Sequence, residues 1–210
     1  MSTLKQRVTR GLPVVVLLMA AASAANGDAR PSYQELTRKL VAAARERALV
    51  HVRYVADYVR IPYPGGDVPA DTGTCTDEII RIYRKAGIDL QKEVHEDMLQ
   101  HFNEYPQQRR WGLNHTDWNI DHRRVPNLMA FFRRRGESLP TTKDANQYLP
   151  GDLVAWNLGS GVTHIGMVID QKGASGRYMI LHNIGQGPQI EDALFDWQII
   201  GHYRYYGPQH

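Results

Sequence analysis

The sequence predicts an α+β fold on two observations: helical periodicity dominates the first half of the chain, and strand-like runs bounded by Gly, Pro and Asp dominate the second. No repeat, low-complexity tract or long linker divides the halves, so they read as one domain.

A leader comes first. Lys5, Arg7 and Arg10 precede the apolar run GLPVVVLLMAAASAA, which ends in small residues suited to signal peptidase. The run is shorter than the roughly 20 residues a helix needs to cross a bilayer. Residues 1–24 are expected to be a signal peptide cut after Ala24, a retained anchor being the alternative. That leaves residues 25–210 as a single periplasmic or secreted domain, monomeric and not inserted in a membrane. The leader holds three of the 25 Lys plus Arg and none of the 22 Asp plus Glu, leaving 22 against 22. A near-neutral domain lacks the basic footprint that phosphate backbones require, which argues against nucleic acid as a partner.

After the leader, SYQELTRKLVAAARERAL reads as a helix capped by Ser32, and VHVRYV alternates like a short strand. The turn-rich IPYPGGDVPADTGT then leads to Cys75, the single cysteine of the chain. Ile79, Ile82, Tyr83 and Ala86 follow at the offsets of one helical face, and Gly87 is placed to stop the helix. Thr74 and Asp77 have capping-box spacing, which makes Cys75 the first helical residue. There the unpaired N–H groups and the helix dipole favour a thiolate and are expected to lower the thiol pKa, with Asp77 and Glu78 opposing. A buried cysteine used as a small hydrophobe is the other reading.

The second half supplies three strands: LVAW after a Pro-Gly-Asp turn, HIGMVID opened by His164, and YMILHN closed by His182 and Asn183. Short connections pair such strands antiparallel, which makes His164 and His182 neighbours at one sheet edge. A thiol nucleophile needs a base and a group to orient that base, and these two imidazoles suit both roles.

YPGG at Tyr63, the helix-opening Cys75, PGDLV from Pro150, HIGM from His164 and the strand carrying His182 together resemble the NlpC/P60 cysteine peptidases, a papain-like group that cuts peptide bonds in bacterial cell walls. The resemblance implies a papain-like fold in which the nucleophile helix packs on a small antiparallel sheet. It makes Cys75 the nucleophile, His164 the general base and His182 its orienting residue, with Tyr63 shaping the oxyanion site beside the Cys75 N–H. More narrowly, GGDVP, CTDEIIRIYRKAGIDLQ, NIDHRRVPNL, PGDLVAW, HIGMV and HNIGQG resemble the DUF1287 family of bacterial exported proteins. Two departures stand out: Thr-Cys-Thr-Asp replaces the group's Asp-Cys-Ser-Gly, and a long segment separates the cysteine helix from PGDLV.

That segment contains WNIDHRRVPNLMAFFRRRG, read as a helix opening near Pro126 and stopping at Gly136. Asp121, His122, Arg123 and Arg124 precede it, and the two arginines suit a clamp for substrate carboxylates. A solvated charged turn is the plainer reading. Asp77, His122, Arg123 and Asn183 join Tyr63 as substrate or oxyanion candidates. No short ligand pair supports zinc on Cys75, His164, His182 or His122, and no Gly-x-Ser-x-Gly elbow supports a serine hydrolase. The activity the resemblance implies is cofactor-free and metal-free hydrolysis of an amide bond in peptidoglycan, by an amidase or endopeptidase route. A thiol acyltransferase and a non-catalytic cell-wall or partner binding module on the same scaffold are the alternatives.

Overall fold

The computed structural model describes residues 32–208, which lie in one compact unit; the expected leader falls outside them. Helix α1 (Tyr33–Arg47) starts where the Ser32 hydroxyl accepts the Glu35 N–H, and buries Leu36, Leu40, Val41 and Ala44. The run expected as a strand over 50–55 shortens to β1 (Arg53–Tyr54). Its pairing, parallel to β2 (Thr72–Gly73), involves only two residues on each side. Helix α2 (Cys75–Lys85) opens at the cysteine, and Gly87 takes a left-handed φ of 90° just past its end. Helices α3 (Leu90–Gln100), the short α4 (Gln107–Trp111) and α5 (Val125–Arg135) follow, the last with its proline in the first turn.

The sheet holds β3 (Glu137–Ser138), β4 (Leu153–Asn157), β5 (Thr163–Lys172), β6 (Tyr178–Asn183), β7 (Pro188–Glu191) and β8 (Gln198–Arg204). Its order is β3-β8-β4-β5-β6-β7 and every neighbouring pair is antiparallel. The α+β expectation holds, as does the adjacency of β4, β5 and β6. Sequence reading missed β7 and β8, which flank that trio and make it the middle of the sheet.

Alternation along the strands gives two faces. Leu153, Ala155, Ile165, Met167 and Leu181 meet the helices in a large core that includes Cys75 and Ile79. Val154, Trp156, Val168 and Ile180 build a smaller cluster with Leu194 on the other face. Consequently α2 delivers Cys75 to one side of β5, while His164, opposite Trp156 in the β4–β5 register, belongs to the other. The opening residues of β5 pair with β4, His164 opposite Trp156 and Thr163 opposite Asn157, and pairing with β6 begins at Met167.

Candidate active site

Cys75 sits at the first position of α2 because Asp77 reaches back to accept the Thr74 N–H at 2.7 Å, half of a capping box. The backbone N–H groups of Ile165, Thr76 and Cys75 face the sulfur and favour its anion. The sulfur therefore faces the backbone at the opening of β5, one residue along the chain from His164, whose own ring hydrogen-bonds to His182 and not to the sulfur. Burial outweighs those donors: the thiol is pushed up to about 12, by desolvation first and by the Asp77 charge next. The lowered thiol pKa expected from the helix terminus is thus reversed. Asp77 is itself countered by Arg123, and Glu78 by Arg47 at 2.6 Å, so both acids beside the thiol carry a guanidinium.

The imidazoles form a directed chain. His182 Nε2 lies 2.6 Å from Glu191 Oε2, and His182 Nδ1 lies 2.8 Å from His164 Nε2. A carboxylate only accepts, so it holds the His182 proton on Nε2. A neutral His182 then accepts at Nδ1, which fixes the His164 proton on Nε2 and leaves His164 Nδ1 with a bare lone pair. Trp156 and Trp197 cover the pair, with centroids 5.8 and 6.1 Å from the His164 ring. Desolvation pushes His164 down to about 3, helped by His182, and lowers His182 despite Glu191. At rest the thiol and the His164 imidazole are both neutral. Glu191 is absent from the sequence reading; it sits in β7, a strand too short to be read, and its pairing across β6 brings it beside His182.

The remaining candidates scatter. Tyr63 stacks edge-on against His95 and near Trp118, and its hydroxyl is 3.5 Å from Glu96, so it serves the α3 side rather than the thiol. The tyrosine that feels the thiol is Tyr54, pushed up to about 12 by burial and then by the charges of Cys75 and Asp77. The carboxylate clamp also needs correction. Arg123 is buried and grips Asp77 through two bonds of 2.8 and 3.1 Å while donating to the Asp57 carbonyl, which leaves it no free donor edge for a substrate. Arg124 lies over Trp111 and donates to Gln107. Asp77 is equally committed to the cap and to Arg123. His122 is buried beside Asp77 with an unpartnered Nδ1, and desolvation pushes it down to about 3. Asn183 shares a strand face with Leu181, the face α2 packs against; its Oδ1 accepts the Gly185 N–H while its Nδ2 is a buried donor without a partner. Among the described residues, no three His, Cys, Asp or Glu side chains gather as a metal-ligand set.

Residues 41–205 match the family described as Domain of unknown function (DUF1287). The chain belongs to the DUF1287 family. Cys75, His164, His182 and Glu191 all fall inside the matched span of this DUF1287 chain. It is 48% identical over 163 residues to the Uncharacterized protein YijF of Escherichia coli (strain K12), covering 78% of each. Among solved structures it is similar to NlpC1 from Trichomonas vaginalis, at 16% identity and a TM-score of 0.42; the match covers 81% of this chain and 44% of that one.

Proposed function

We propose that this DUF1287 protein is an exported cysteine hydrolase of papain-like type that cleaves an amide bond of peptidoglycan. The observation that carries the reading is the hydrogen-bonded run Glu191–His182–His164, which ends on a bare imidazole nitrogen in the residue next to the one whose N–H faces the Cys75 sulfur. His164 Nδ1 takes the thiol proton as the sulfur attacks the amide carbonyl and a C–S bond forms. The oxygen that gains charge is met by the Cys75 N–H, with the unpartnered Asn183 Nδ2 as the candidate second donor. The His164 proton then passes to the leaving amine as the C–N bond breaks. Water, deprotonated by His164, displaces the thiolate and frees the acid.

A neutral resting pair fits this scheme, because proton transfer coupled to attack avoids placing an isolated charge in a buried site. The same neutrality also favours a second reading, a binding module that holds cell-wall peptide without cutting it. Mass spectrometry of muropeptides separates the two. Wild type should release new fragments and Cys75→Ala none; identical fragment patterns, with both proteins bound to the wall, would leave the binding module.

A further inference from the structure

Most arginines of the described residues are engaged by carboxylates. Arg109, Arg110 and Arg133 are not: among the described residues none has an ion-pair partner, and all three line one cavity of about 220 Å³. Arg109 and Arg110 come from α4 and Arg133 from α5, and all three are exposed. Pro126, Met129 and Ile200 supply an apolar wall. Thr163 closes the cavity at the opening of β5, next in the chain to His164. Glu104 is the single acid on the lining and leaves it net positive.

We infer that this cavity is a carboxylate-binding subsite for an acidic peptide. Isolated surface arginines are usually idle, but here three unpaired guanidinium groups from two helices converge on a concavity with an apolar side. Guanidinium groups bind carboxylates through paired N–H donors, and an apolar wall strengthens the attraction by excluding water. The volume lies below the roughly 300–1,000 Å³ of drug-sized ligand sites, so it suits a small group such as one acidic residue. The inference rests on the hydrolase reading only for its purpose: a ligand seated here lies at the opening of β5, one residue along the chain from His164, so the site would hold an acidic residue of the substrate near the cleaved bond. Of the arginine pair read from the sequence as a clamp, Arg123 is buried on Asp77 and Arg124 is held by Gln107, Asp121 and Trp111; Arg109, Arg110 and Arg133 occupy the role instead.

The test uses full-length mature Cys75→Ala protein, so that binding is separated from turnover, and calorimetric or NMR titration with three probes. These are acetyl-Ala-Glu-Ala with free carboxylates, acetyl-Ala-Gln-Ala amide, and inorganic phosphate. The acidic peptide should bind, weaken with added salt, and lose about tenfold in affinity in Arg133→Gln or Arg109→Gln, with the triple variant at Arg109, Arg110 and Arg133 losing more. Any of four results would overturn the inference: no binding, equal binding of the amide probe, unchanged affinity in the triple variant, or phosphate bound as tightly as the peptide. All three side chains are exposed, and unchanged melting of the variants confirms that the fold is intact. Binding that survives while wild type releases no muropeptide would sink the hydrolase reading alone.

Discussion

Glu191 decides where protons sit two imidazoles away. Its carboxylate, 2.6 Å from His182, is the acceptor that orients the whole run, yet its own side chain is 43% exposed. Glu191→Ala should therefore spare the fold and let His182 sample both tautomers. Loss of such supporting partners typically costs about 10- to 100-fold in activity. Turnover on peptidoglycan should fall in that range, and the imidazole ¹⁵N shifts of His182 should move toward a mixed population; an unchanged tautomer with unchanged rate would remove Glu191 from the scheme. The thiol makes a second prediction at this scale. Because burial pushes Cys75 up to about 12, iodoacetamide should modify the resting protein at pH 7 more slowly than a free thiol, which titrates near 8.5. Alkylation that plateaus below pH 8 would show a preformed thiolate instead.

Helix α2 and strand β5 set that chemistry at the scale of elements. The first turn of α2 carries a buried Asp77 whose charge is met by Arg123, 46 residues further on. Removing one partner of a buried pair leaves an uncompensated charge and costs about 3–5 kcal/mol. Arg123→Ala should lower the melting midpoint by roughly 10 °C for a chain of this size and loosen the cap beneath Cys75. An exposed-pair effect of a degree or two would mean that water reaches Asp77. In β5, Gly166 permits β6 to come close. A Cβ there would stand 2.8 Å from the Leu181 carbonyl oxygen, 2.7 Å from Ile180 Cγ2 and 3.1 Å from His182 Cβ. Gly166→Ala must push β6 outward and lengthen the His164–His182 bond, at an overpacking cost of about 1–3 kcal/mol. Activity should drop far more than that loss of stability explains, which paired kinetics and thermal melts would reveal.

Across the whole molecule, buried titratable groups give the stability a slope with pH. His122 and His164 stand near 3 in the folded chain, against 6.5 in the unfolded one, so between those values the unfolded chain binds more protons and stability falls as pH falls. Asp121, buried and pushed up to about 6, works oppositely between about 4 and 6, where the folded chain holds its proton. Two imidazoles outweigh one carboxyl, leaving a net slope of about 1.4 kcal/mol per pH unit in that window. The melting midpoint should climb from pH 4 to 6.5; a flat or declining curve would show that these rings are hydrated.

Local chemistry alone specified much of this protein. Ser32, the Thr74–Asp77 cap, the apolar face of α2, the Pro-Gly-Asp turn and the apolar runs of β4, β5 and β6 are short-range signals, and they placed Cys75 at a helix start and both imidazoles at strand ends. Tertiary structure decided the partners. Glu191 reaches His182 through a four-residue strand with weak propensity of its own, and Arg123 turns inward because Asp77 is buried nearby. Tyr54 rather than Tyr63 comes to the thiol because β1 pairs beside the residues leading into α2. Burial, not the helix terminus, sets the protonation of the thiol. Propensity and spacing act within a few residues, whereas pairing and desolvation depend on which distant segments the fold brings together.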